Sequence, residues 1–461
     1  MDLSDSGAAA KDYWFFLIYK YLAAPVRSYP SRYDQPFQSI NKMGDHREAG
    51  HGNYAQDETT PADESTFLLP KNVGDVKSKI LSTNFAAVMA GLNDAALGPL
   101  IPYIQPTYNV GLLQVSIIYL VNFVGWVVAS FANIHVCSHI GTGGTLVLGA
   151  TIQCLGYALM FWSPPFPLFV AAFFFTGCGV AFQDAQINMF TITVKDAHRW
   201  LGILHAVYGV GTILAPLIAN TIASRMPIWH HYYLVALLLG ALNITSLVWT
   251  FRKGLFRPNV SNAKETAGKE LRETVSNKTV WIFNGFFFLY VGAEVTAGGW
   301  LVQFLVSVRH GDPTKVGYIA SGFWAGFTLG RVALADLTHR LGERRMVFVY
   351  TALAVAMQLL FWLVPDITVN AVTVCFLGFF IGPFYPVGLY VLTKVIPKEL
   401  HVGAIGFTAS IGQAGSAAFP FLTGAVASQA GVQVLQPIML GLLIGIAFFW
   451  CLVPRQRPIT L

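Results

Sequence analysis

Charge is scarce in this chain: Lys, Arg, Asp and Glu together make up 11% of its 461 residues, against about 25% in an ordinary soluble domain. So little charge excludes a water-facing globular surface over most of the length. Cysteine pairing is missing too. Cys137, Cys154, Cys178, Cys375 and Cys451 show neither metal-type nor redox-type spacing, and read as small core or lipid-facing residues. The chain has no Gly-rich phosphate loop, nucleophile elbow or His-Glu metal motif. An enzyme is therefore disfavoured, and no cofactor or metal is expected.

What is present is apolar: 54% of residues are hydrophobic and 14% aromatic. A helix needs about 20 mostly apolar residues to cross a bilayer. Such runs lie near 80–104, 114–134, 144–162, 166–190, 200–222 and 231–251, then 280–304, 315–335, 345–363, 367–391, 402–426 and 432–453. These predict an all-α membrane protein of twelve transmembrane helices in two six-helix bundles, 77–251 and 280–461. The other predicted parts are a disordered cytosolic tail over 1–76 and a basic cytosolic linker over 252–279.

Three acids interrupt the apolar runs: Asp94, Asp184 and Glu294. A lone carboxylate at mid-bilayer costs about 2.5–3.5 kcal/mol on insertion scales, so such residues face a bundle interior or a watery cavity and mark ion or proton paths. They are the candidate proton-coupling residues. Each has a plainer reading, as a polar clamp between helices for Asp184 with Asn188, a cap at a helix break for Asp94, or a structural contact for Glu294.

The apolar run 13–24 contains Lys20, is too short to span and lacks a signal-peptide frame; a start at Met43 would remove it. Residues 43–66 have the composition of a disordered tail, and Glu64 to Leu69 resemble an acidic dileucine sorting signal. The sixth loop carries Arg252, Lys253, Arg257, Lys264, Lys269, Arg272 and Lys278, which makes it cytosolic by the positive-inside rule. Both termini are then cytosolic, and Asn259 and Asn277 lie away from the glycosylating face. The net charge of +6 follows from orientation, with no nucleic-acid partner implied.

The two sets of six are one pattern used twice. Gly91 and Gly292, Gly98 and Gly299, Gly125 and Gly326, Gly141 and Gly342, Gly177 and Gly378, Gly202 and Gly403, and Gly211 and Gly412 all stand 201 residues apart (292 − 91). A constant offset requires equal spans and loops, as in parallel repeats about an axis along the membrane normal. In the fourth span Gly177, Ala181, Asp184, Asn188 and Thr191 share one helix face. At the repeat position of Asp184 the tenth span has Tyr385, so the first half titrates where the second offers a ring and hydroxyl. Gln183, Asn188, Tyr290, Trp300, Gln303, Trp324, Tyr385 and Gln413 are candidate substrate contacts, since aromatic faces stack on sugar rings and amides bond hydroxyls. Packing or membrane-belt roles are the alternative for each, and His205 and Tyr208 read as core.

At the end of the eighth span, Gly330-Arg331 through Asp336, Arg340, Gly342, Arg344 and Arg345 resembles the major facilitator loop signature. Asp336, Arg340, Arg344 and Arg345 suit a charge-assisted gating latch between neighbouring helix ends; the first half has His135, His139, Gly143 and Gly144 there. Together with Tyr290-Val-Gly-Ala-Glu294, Asp184-Ala-Gln-Ile-Asn188 and Tyr385-Pro386, the chain from about residue 80 resembles the fucose permease branch of the major facilitator superfamily, the fucose-galactose-glucose proton symporters and their fungal relatives. That resemblance implies the major facilitator fold and places sugar recognition and proton coupling on Asp94 and Asp184. Glu294 stands where the sugar permeases look amide-like.

The expectation is a monomeric alternating-access carrier whose partners are protons, a small polar solute such as a sugar, and the bilayer. The plasma membrane is favoured, with a vacuolar or endosomal membrane as alternative. Proton-driven efflux of a metabolite or toxin, and a nutrient-sensing transceptor signalling through the tail, are the competing functions.

Overall fold

A computed structural model describes residues 73–226, 228–255 and 272–454. Residues 1–72 and most of the basic linker lie outside that range, and with them the expected tail, the dileucine-like segment and Asn259. Helix starts at Val73, four residues inside the expected tail.

The described chain is a succession of helices because lipid offers no partner for backbone N–H and C=O groups, which must be satisfied within each segment. The first span is a bent pair, Val73–Asp94 and Leu97–Tyr108, meeting at 43°. Spans two and three form one run, Leu112–Met160, broken at Gly141. Spans four to nine are Phe166–Ile192, Ala197–Arg225, His231–Phe251, Lys278–Ser307, Ile319–Leu341 and Glu343–Leu363. The tenth is Ile367–Ile381 followed by Phe384–Val395; His401–Ala430 and Leu435–Leu452 are the last two. Twelve passes result, at the places the apolar runs predict.

The repeat is visible in the packing. Gly125 backs onto the carbonyl of Phe174, and Gly326 onto that of Cys375; Gly177 backs onto Asn122, and Gly378 onto Phe323. Each contact pair recurs 201 residues on (375 − 174), so spans two and four pack as eight and ten do. The absence of a Cβ is what permits these approaches. Gly141 and Gly342 take φ of 71° and 95°, a backbone region glycine enters without steric penalty, and each makes the turn at the basic end of its half.

Two breaks position the centre. The first falls at Ala95 and Ala96, directly after Asp94. The second falls at Gly382 and Pro383, separated from Tyr385 by one residue. Pro386 has no N–H to return to the Gly382 carbonyl, and Arg331 Nε donates to that oxygen instead, at 3.2 Å. Discontinuous membrane helices of this kind commonly frame central sites.

Candidate functional site

The halves meet at the end poor in basic residues. Asn220 donates to the Thr314 carbonyl at 2.9 Å, the Thr221 and Tyr318 hydroxyls stand 3.0 Å apart, and Ser321 donates to the Ile213 carbonyl at 3.0 Å. These hydrogen bonds join the two halves. Gly98 packs on the carbonyl of Gly298, and Gly424 on Ser116 and Trp300. Toward the basic end the fifth span loses such contacts. Gly209 still meets Thr328, whereas a Cβ at Gly202 would meet nothing within 4 Å. Between the halves is therefore a cleft closed at one end.

Around its floor lie the three acids. Asp94 accepts a hydrogen bond from the Tyr208 hydroxyl at 2.9 Å and one from the Asn93 amide at 3.2 Å; it is exposed although central in its span. It caps no helix, since Ala96, the residue that starts the next helix, has no side-chain cap. Asp184 and Asn188 are half-buried on one face, with Asn188 Nδ2 donating to Asp184 Oδ1 at 3.1 Å and to its carbonyl at 2.9 Å. Glu294 is enclosed, and its Oε2 lies 3.9 Å from Arg331 Nη2. Arg331 also stacks on Phe327, 4.3 Å from ring centroid to guanidinium, and its Nη2 stands 3.5 Å from the Tyr290 hydroxyl. One guanidinium thus joins spans seven, eight and ten.

The clusters of the two halves sense each other. Asp94 lies within electrostatic reach of Glu294, Tyr208 of both Glu294 and Arg331, and Asp184 of its repeat mate Tyr385. His205 likewise senses Arg331. The centre therefore holds three carboxylates, one guanidinium and the hydroxyls of Tyr208 and Tyr385.

Several expected substrate contacts are elsewhere. Gln183 is buried at 2% exposure, its amide spent on Gln153, Gly179 and Asn243, so it packs inside the first bundle. Trp300 is fully buried, bonding the Pro420 carbonyl at 3.0 Å at the closed end. Gln303 and Trp324 are also buried, with Gln303 donating to Ser307 and the Trp324 indole N–H without a partner; Tyr290 is buried too, but at the centre, beside Arg331. Asn188, Tyr385 and Gln413 remain half-open, with Tyr385 edge-on to Phe287 at 5.1 Å.

The gating quartet does not act as one latch. Asp336 and Arg340 pair at 2.8 Å within a single helix, both over 70% exposed, so they connect no neighbours. Arg344 does bridge helix ends, donating to the carbonyls of Cys451 and Val453. The ion pair between neighbouring ends belongs instead to Glu343, 3.3 Å from Lys394 and 3.3 Å from His339. In the first half the same place has the His135 and His139 rings, 4.4 Å apart.

Sequence reasoning missed Arg331, Tyr208 and Glu343 as parts of this machinery. Arg331 carried a usable signal: a base inside the span 315–335 is as costly as an acid. Tyr208 carried none, because a tyrosine in an apolar helix is ordinary.

Twelve passes in two repeats of six, with ionisable groups at a central cleft, define a membrane transporter. Residues 83–369 and 288–460 match the sequence profile of the Major Facilitator Superfamily, and the chain belongs to that family. It is a multi-pass integral membrane protein that moves small molecules, and not an enzyme. Similar curated proteins include bypass of stop codon protein 6 of Saccharomyces cerevisiae, 26% identical over 82% of this chain and 83% of that protein. Another is the glucose/mannose transporter GlcP of Bacillus subtilis, 21% identical over 80% and 94%. Among solved structures, the nucleoside transporter NupG superposes with a TM-score of 0.68 at 15% identity, covering 82% of this chain and 100% of that one. The transporter FucP in its outward conformation superposes with 0.58 at 17%, covering 82% and 99%.

Proposed function

We propose that the chain carries a small hydroxylated solute of the hexose class together with protons, by alternating access. The observation that carries this reading is the meeting, at the floor of one cleft, of Asp94 with Tyr208 from the first half and Glu294 with Arg331 from the second. Three carboxylates there face one guanidinium. Closing the halves over that excess of negative charge would bury uncompensated ions, which is costly in a low-dielectric interior. A proton taken up by one acid reduces the excess and lets the loaded cleft close; the proton leaves once the cleft has opened on the other side. The same binding step therefore couples solute to proton.

Asp184 is the proton carrier we favour, because its carboxylate faces the cleft beside Asn188 and has no cation against it among the described ion pairs. Asp94 and Glu294 are held by Tyr208 and Arg331 and act as fixed polar walls with a share in coupling. Tyr385 and Gln413 offer the ring and amide for the solute. The sugar names of GlcP and of the fucose permease resemblance support the substrate class. By the positive-inside rule the open end of the cleft is cytosolic, and residence in the plasma membrane as a monomer completes the reading, with a vacuolar or endosomal membrane as alternative; microscopy of a fluorescently tagged chain separates these.

The test is uptake of labelled D-glucose, D-mannose, L-fucose and uridine into proteoliposomes, with and without an inward proton gradient. Gradient-driven accumulation of a hexose is expected. Accumulation of uridine alone would replace the substrate class, and solute expulsion driven by the gradient would reverse the direction.

A further inference from the structure

The first bundle contains a line of buried side-chain hydrogen bonds that no transport role so far absorbs. Asn243 in the sixth span donates to Gln183 in the fourth at 2.9 Å. Gln183 donates to Gln153 in the third at 2.7 Å, and Gln153 donates to the Tyr157 hydroxyl at 2.8 Å. Tyr157 donates to Asn93 in the first span at 3.2 Å, and Asn93 donates to Asp94 at 3.2 Å. Asn243, Gln183, Gln153 and Tyr157 are each at most 2% exposed.

Every link points toward Asp94, and the direction is fixed by backbone. Gln183 Nε2 also donates to the Gly179 carbonyl at 3.1 Å, and Gln153 Nε2 reaches the Met89 carbonyl at 3.5 Å. Turning either amide over would set oxygen against a carbonyl oxygen. The Tyr157 hydroxyl receives from Gln153, so its single proton is left for Asn93. Aligned donors of this kind polarise one another. Helix glue needs only isolated pairs, whereas this line crosses four spans and ends on Asp94, the acid at the break of the first span.

We propose that Tyr157, Gln153, Gln183 and Asn243 are positioning residues that set the orientation of the Asp94 carboxyl group through Asn93, with Tyr208 holding its other oxygen. The proposal rests on the reading of Asp94 as part of the transport site. Without the Tyr157 hydroxyl, the Asn93 amide loses what orients it and can present oxygen to Asp94.

The experiment reads Asp94 itself, with no solute present. Infrared difference spectra of the purified full chain in lipid nanodiscs, grown with carboxyl-labelled aspartate, assign the Asp94 carboxyl stretch by its loss in Asp94→Asn. Tyr157→Phe removes one oxygen and should move that band; Asn243→Leu, at the far end of the line, should move it in the same sense by less. Should Tyr157→Phe fail to fold, Gln153→Met breaks the same line. Thr408→Val removes a buried bond to Asn284 in the other half and should leave the band in place. An Asp94 band unmoved in both line variants, or moved as far by Thr408→Val, overturns the proposal. Failure of the transport reading looks different: Asp94→Asn would then accumulate solute as the parent does.

Discussion

Arg331 and Glu294 pair across spans eight and seven at 3.9 Å, with Arg331 only 17% exposed and its Nε committed to the Gly382 carbonyl at the break of span ten. The guanidinium thus compensates an enclosed acid and a backbone orphan together. Removing it should be expensive. Arg331→Leu leaves Glu294 without its cation, and breaking a buried pair costs about 3–5 kcal/mol; partial access to the cleft brings our expectation to about 2–3 kcal/mol. Thermal unfolding of the purified variant measures this, and Arg331→Leu with Glu294→Gln should recover at least half of the loss while remaining inactive.

Asp184 and Tyr385 occupy one repeat position, and the proposal gives them different roles. Asp184→Asn keeps shape and the Asn188 contact but cannot titrate, so it should fold normally and lose gradient-driven accumulation. Full accumulation would move the proton site elsewhere.

Tyr385→Ala should raise the apparent substrate constant several-fold with coupling retained, since its ring lines the cleft without titrating. Glu294→Gln should chiefly lower protein yield or thermal stability. Uncoupling in Glu294→Gln at normal yield, with Tyr385→Ala behaving as the parent, would reverse that assignment.

The packing glycines give a prediction on the fold alone. A methyl at Gly326 meets the Cys375 carbonyl, and one at Gly125 meets that of Phe174. Gly326→Ala and Gly125→Ala should each cost about 1–3 kcal/mol, the usual range for overpacking. Gly202→Ala, with open space around it, should cost far less. Equal unfolding temperatures in all three would contradict the repeat packing.

Much of this architecture is legible in the sequence because a bilayer imposes a length and a composition on every pass. The glycine offset survives folding for a related reason: a close helix approach tolerates no Cβ, so Gly125 and Gly326 mark contacts directly. Asp94, Asp184 and Glu294 were equally visible, as charges that lipid penalises. Which side chains line the cleft is harder to read. Whether Trp300 or Tyr290 lines a cleft or fills a bundle depends on helix rotation and on which end is closed, and neither leaves a trace in local composition. Gln183 illustrates this, one residue from Asp184 and about 100° round the helix, buried in the bundle while Asp184 looks into the cleft. Asp336 and Arg340 pair with each other rather than with a neighbouring helix, because residues four apart on a helix satisfy one another.

The central claim is that solute and proton cross together at this cleft. Its most direct test is a pH-sensitive dye sealed inside proteoliposomes, read while D-glucose is added outside with no initial gradient. The account predicts an acidification inside that follows the sugar, absent in Asp184→Asn. Sugar entry with no change of internal pH in the parent protein would contradict it.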